Sequence, residues 1–151
     1  ILVGYNGKEN SVYGLYLAEK LAVNTGAGIE VISIISPDEV QENRQKITDE
    51  LESLVEKITS IPVNYKILEK YSIEDALLEA SNNNDLIIIG DSSERFKISL
   101  LGNLSQRIAR HSKKPIVIVK KSKPISKESF NYLVKKHAHI IYTRLRGKRS
   151  K

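Results

Sequence analysis

Gly90 and Gly102 bracket the stretch whose residue types are best suited to chemistry. The run Leu86-Ile87-Ile88-Ile89 ends at Gly90, and a polar loop, Asp91-Ser92-Ser93-Glu94-Arg95, follows. Gly102-Asn103-Leu104 then heads a helical pattern that reaches His111. A strand, a Gly-bearing loop and a helix start together make an anion cradle. The first backbone N–H groups of a helix have no partner inside it, and the helix dipole places its positive end there. Phosphates would lie against the N–H groups of Gly102, Asn103 and Leu104, with Arg95 or Lys97 adding charge. The same residues also suit a plain connecting loop with a Gly turn and an Asn cap. Types and spacing leave both readings open.

The elements that would position this loop follow from periodicity. Ile1–Tyr5 reads as a first strand, and Asn6-Gly7 turns the chain into a helix capped by Asn10 or Ser11. Gly14, Leu17, Ala18, Leu21 and Ala22 fall on one face of that helix, and Gly26 and Gly28 end it. Ile29–Ile35 is a second strand. Ser36-Pro37-Asp38-Glu39 predicts a helix start with Ser36 as cap and Glu39 completing a capping box. Ile47, Leu51, Leu54, Val55 and Ile58 form the apolar stripe of that second helix. Val63, Tyr65 and Ile67 alternate with polar residues, as in a half-exposed edge strand. Ser72 and Asp75 cap a third helix carrying Ile73, Ala76, Leu77 and Ala80, which ends at Asn82-Asn83-Asn84. Leu86–Ile89 and Ile116–Val119 are continuous apolar runs, the pattern of parallel strands buried on both faces. Strand and helix alternate throughout, so the fold class is α/β: an open, doubly wound, five-stranded parallel sheet with helices on both faces.

From Ile1 to about Lys120 the chain resembles the universal stress protein family. Gly90 matches the first glycine of the loop that nucleotide-binding members carry, and Gly102 matches the third. Ser93 stands where the second glycine belongs, the loop is one residue short, and Asn103 replaces a Ser or Thr. The resemblance implies strand order 3-2-1-4-5, with ligand bound beyond the strand ends where the order reverses. That point lies between the Tyr5-Asn6-Gly7 turn and the Gly90–Asn103 loop. Asn6 falls where relatives carry an Asp near adenine and ribose, and Ile34 matches a position whose backbone reads adenine. The implied ligand is ATP or another adenine nucleotide, with magnesium only through its phosphates. The implied assembly is a homodimer paired through Ile116–Val119.

Composition removes several other chemistries. The chain has 151 residues and no cysteine, which excludes disulfides, thiol catalysis and Cys-based zinc sites and fits a reducing cytoplasm. Methionine is absent too, so the native start is expected before Ile1. No apolar run approaches membrane-spanning length, and no signal peptide is visible. There is no Gly-x-Ser-x-Gly elbow and no Walker loop. His137 and His139 would share a face only on a strand, and His111 near a helix end suits a favourable charge. Turnover would amount at most to slow nucleotide hydrolysis, for which no residue presents itself to position a water.

Charge divides the chain. Residues 1–120 hold 14 Lys/Arg against 17 Asp/Glu, a net −3, whereas residues 121–151 hold 10 Lys/Arg and only Glu128, a net +9. Residues 121–127 read as a basic linker containing Pro124. Phe130, Leu133, Val134, His137, Ile141 and Leu145 then form one face of a C-terminal helical extension. Such a face docks on its own domain or on a protein partner; an anionic membrane surface or nucleic acid is a weaker reading. Two functions are therefore carried forward. One is a nucleotide-binding signalling protein. The other is a dimeric interaction module without nucleotide that acts through its basic extension.

Overall fold

The computed structural model describes residues 1–91 and 104–120. The elements run β1 (Leu2–Tyr5), α1 (Glu9–Thr25), β2 (Ile29–Ile35), α2 (Gln41–Glu56), β3 (Val63–Glu69), α3 (Ile73–Ser81), β4 (Ile87–Gly90), α4 (Leu104–His111) and β5 (Ile116–Val119). The five strands form one sheet in the order β3-β2-β1-β4-β5, and every neighbouring pair is parallel. This is the α/β fold and strand order expected above. Of the C-terminal extension, residues 121–151 lie outside the described residues.

Alternation along the strands builds two cores. Val3, Val31 and Ile88 point to one side of the sheet and pack with Leu15, Ala18, Leu51 and Leu54 from α1 and α2. Leu2, Ile32, Ile87 and Ile89 point to the other and pack with Leu77 of α3 and Ile108 of α4. β4 is thus apolar on both faces, which explains its continuous run. Ile116–Val119, expected from the same pattern to be buried on both faces, is instead a partly exposed strand at the end of the sheet order, with Ile118 exposed.

Local chemistry shifts three expected details. The buried face of α1 is Ser11, Gly14, Leu15, Ala18 and Ala22, while Leu17 is exposed. Gly14 sets this rotation: a Cβ there would stand 3.3 Å from Ile88 Cγ2, so the helix lies close on the sheet along its small residues. The expected caps Asn10 and Ser11 lie inside the helix, whose N-cap is Lys8. The Ser11 hydroxyl instead donates to Lys8 O at 2.7 Å. The helix start expected at Ser36 moves to Gln41, with Val40 as cap. Ser36 Oγ still accepts an N–H, that of Asp38 at 3.2 Å, but as a local turn. Arg44 holds the carbonyls of Ser36, Pro37 and Glu39 and keeps that segment out of the helix. By contrast, Gly26 closes α1 with φ 72° and Ser72 accepts from the Asp75 amide, as the sequence predicts.

Two carboxylates tie elements together. Glu30 of β2 accepts from Lys66 at 2.6 Å and from Asn84 at 2.9 Å. Glu74 of α3 accepts from Arg107 at 2.8 Å and contacts His111 Nδ1 at 2.6 Å, joining α3 to α4. Hydrogen bonds from Lys66 and then Asn84 hold the Glu30 carboxyl below its ordinary value of 4.5. Those from Arg107 and then His111 do the same for Glu74. A lowered folded-state value means that ionisation stabilises the fold above the ordinary carboxyl range. That contribution fades as pH falls through the lowered values. The stability gap between the native chain and a Glu30→Gln/Glu74→Gln variant should therefore narrow as chemical denaturation is repeated from pH 6 down to pH 2 (about the span over which such linkage is lost). A constant gap would refute it.

Gly90 has a packing reason to be glycine. A Cβ there would stand 2.4 Å from Ser11 N and 2.5 Å from the Asn10 carbonyl carbon, both backbone atoms of α1. Neither can swing aside as a side-chain tip would. Gly90→Ala should destabilise the fold by about 3 kcal/mol in urea denaturation. Gly28→Ala, whose Cβ would meet nothing within 4 Å, should stay within about 0.5 kcal/mol of native.

Candidate functional site

At the carboxyl end of the sheet the chain leaves β1 toward one edge and β4 toward the other. Between the two strand ends lies a cleft lined among others by Gly4, Asn6, Ile34, Ile73, Gly90 and Leu104. The reversal of strand order creates this gap, because the connections that follow β1 and β4 depart in opposite directions. On the α1 side the gap is closed by the contact of Gly90 with Asn10 and Ser11.

The sequence places four of its seven candidate residues here. Asn6 is exposed and sits at the cleft with its side chain engaged in a turn: Oδ1 accepts the Lys8 amide at 3.1 Å. Its own N–H donates to Ser11 Oγ at 3.3 Å. Gly7 follows with φ 72°, a conformation that costs an L-residue strain. Asn6 thus combines turn chemistry with a place in the cleft wall. Gly90 closes β4 at the cleft floor, and Leu104 opens α4 at its rim. Ser93, Gly102 and Asn103 lie outside the described residues, as do Arg95 and Lys97.

Ile34 contributes backbone. The Glu30 amide donates to Ile1 O at 2.9 Å, and the Lys70 amide donates to Ile35 O at 3.1 Å. Successive residues of a parallel strand bond to opposite neighbours. Ile34 therefore turns its N–H and C=O toward the β1 side. β1 stops at Tyr5, in register with Ser33. The Ile34 carbonyl consequently projects beyond the end of its neighbour, into the cleft that its side chain also lines.

Two residues at the site escape a reading of the sequence. Asp91, which reads there as the start of a polar loop, is a buried junction. Its N–H donates to Val119 O at 2.9 Å, its carbonyl accepts from the Asn10 side-chain amide, and its carboxylate holds Lys120 at 3.0 Å. Only the β4–β5 adjacency makes this visible, since Lys120 is remote in sequence. Ser105 is the other; it is buried in the first turn of α4 and lines the cleft. No local pattern distinguishes it from a surface serine.

The cleft walls are predominantly apolar. Tyr5 is the one lining side chain among the described residues that titrates, and burial, then the charge of Glu50, raises its phenol above 10. No Asp, Glu, His, Lys or Arg lines the cleft among the described residues. Nor do those residues hold a group of three or more His, Cys, Asp or Glu suited to a metal ion. None of their helices is long and apolar enough to cross a membrane. The described walls offer shape, apolar surface and backbone acceptors.

Several solved structures share this architecture. A universal stress protein from Archaeoglobus fulgidus in complex with dAMP superimposes with a TM-score of 0.65 at 16% identity, covering 79% of this chain and 95% of that one. A universal stress protein in complex with cAMP gives 0.65 at 21% identity, covering 78% and 93%. A protein of the same family from Burkholderia pseudomallei gives 0.63 at 17% identity, covering 78% and 92%. No curated protein sequence matches the chain. The model of the universal stress protein family, however, matches residues 1–120, the whole span of the sheet and its helices, and the chain therefore belongs to the universal stress protein family.

Proposed function

We propose that the cleft between β1 and β4 binds an adenine nucleotide and that the protein acts by binding and signalling in the cytoplasm. The observation that carries this is the cleft itself. It pairs an apolar slot with the inward Ile34 carbonyl on one wall and the start of α4 on another. A purine ring is flat and apolar on its faces, and adenine carries an amino group that such a carbonyl accepts. The helix start suits phosphate, and magnesium would enter only with the phosphates. That two relatives of the same fold were solved with dAMP and cAMP supports the choice of base.

AMP and ATP titrated calorimetrically, with and without magnesium, should both give saturable heat. Ile34 is half-buried at the slot, so Ile34→Phe should fill it and weaken binding at least about tenfold, with native-like thermal melting. No heat and no thermal shift at millimolar nucleotide (roughly the weakest useful affinity) would favour the second reading. In that reading the chain is a dimeric interaction module acting through its basic residues 121–151. The charge split, −3 against +9, is the observation that favours it.

The homodimer is proposed through β5. Among the described residues this strand is a sheet edge, its Ile118 is 41% exposed, and an apolar edge strand presents unpaired backbone groups to a partner. Light scattering should give a dimer at tens of micromolar (about where a standard interface persists). Ile118→Lys should shift it to monomer. A native monomer at that concentration would refute the dimer.

A further inference from the structure

We infer that Arg44 is a positioning residue that sets the wall of the cleft on the β2 and β3 side; the inference rests on the nucleotide reading above for its ligand, though not for its geometry. Arg44 stands in the opening turn of α2, and its side chain is 19% exposed. It reaches backward out of its own helix. Nε donates to Glu39 O at 2.9 Å, and Nη2 donates to Pro37 O at 2.6 Å, with Ser36 O at 3.5 Å. Nη1 pairs with Glu69, the last residue of β3. One guanidinium thus gathers the segment that leaves β2 and the end of β3.

Both of those segments adjoin, along the chain, residues that line the cleft. Ile34 lines it, and the held segment begins at Ser36, immediately after β2 ends. Ile73 lines it too, and its chain arrives from Glu69 through Lys70, Tyr71 and Ser72. Two further bonds join the segments: the Lys70 amide to Ile35 O at 3.1 Å and the Tyr71 hydroxyl to Asp38 at 3.4 Å. Arg44 itself is not a lining residue. It acts through the segments it holds.

The local sequence is poor for a helix start. A cation in the opening turn opposes the helix dipole, and Val40 is a weak N-cap with no side-chain cap bond. Ser36, a far better cap, starts only a turn, in which its carbonyl accepts the Glu39 amide at 3.0 Å while the guanidinium holds the carbonyls of Pro37 and Glu39. Segments that break local rules and are held by one dedicated group are typical of functional sites. The planar fork is essential, since an ammonium is a point donor that cannot span these acceptors.

Two measurements test this on the full chain. In calorimetric titration with AMP, Arg44→Lys should weaken binding about tenfold, and Glu69→Gln, which leaves the carbonyl contacts in place, by no more than about threefold. A role in charge alone would be restored by Lys. In hydrogen exchange, Arg44→Lys should speed the Glu39 and Lys70 amides while those of Val3 and Ile88 keep native protection. AMP affinity within about twofold of native in Arg44→Lys would overturn the inference, as would unchanged Glu39 and Lys70 protection. So would faster exchange throughout the core, which would mark a merely structural residue. Should the native chain bind no AMP, the nucleotide reading fails, and the exchange measurement still decides whether Arg44 sets the wall.

Discussion

The close approach of α1 to the end of β4 is the constraint on which the site depends. The backbone of Asn10 and Ser11 passes so near Gly90 that no side chain fits between them. The Asn10 amide then caps the contact on the Asp91 carbonyl. With α1 pressed against β4 on this side, the reversal between β1 and β4 opens, among the described residues, toward α3 and α4. The cleft is what remains of the gap. Gly90 therefore has two reasons to be glycine, and the packing reason is sufficient without any ligand. A glycine that aligns with a phosphate-loop pattern is weak support for phosphate where the helix beside it already forbids a Cβ.

The fold was legible because its signals are redundant. Leu86–Ile89 reads as a doubly buried strand, and both of its faces enter a core. Ile116–Val119 carries the same apolar signal but lies at the edge with Ile118 exposed, because strand order, which a local run does not encode, decides which runs are covered. Legibility failed where a long-range partner outcompetes a local rule. Ser36-Pro37-Asp38-Glu39 has every local mark of a helix start, yet the Arg44 guanidinium takes the carbonyls of Ser36, Pro37 and Glu39. Leu17 and Leu15 differ by two positions and are equally apolar. Only the depth of Gly14 against Ile88 decides which of them faces the sheet. The cleft was legible by location, because strand order determines it, and Asn6, Ile34, Gly90 and Leu104 all reach it. Asp91 and Ser105 were not, since their roles arise from neighbours remote in sequence.

Glu30 and Glu74 show how the charge of the domain is used. Each is a carboxylate at a junction: Glu30 takes donors from β3 and from the connection after α3, and Glu74 of α3 is held by two side chains of α4. Isolated surface pairs contribute little, but a mostly covered carboxylate with two donors fixes geometry as well as charge. Glu74 links α3 to α4, the two helices whose residues Ile73, Leu77, Leu104 and Ile108 line the cleft. The spacing of those helices, and so the width of the slot, depends on this pair as well as on the apolar contacts beneath it.

The chemistry of the walls bears on what occupancy could accomplish. Hydrolysis of a nucleotide needs a positioned water and a means of stabilising charge on the transferred group. The described lining residues supply neither an acid–base pair nor a cluster for metal. They supply a slot whose sides belong to different elements: β1 and β2 on one hand, β4 and the start of α4 on the other. A ligand that bridges such elements favours whichever arrangement it fits best, and its leverage equals its difference in affinity between arrangements. Asp91 places the end of β4 in direct contact with β5 through Val119 and with Lys120, the last residue before the basic extension. Any shift at the cleft floor is thus one residue removed from the edge strand proposed for dimerisation and from the segment that carries the +9 charge. In the reading proposed above, that adjacency is the physical route from binding to signalling.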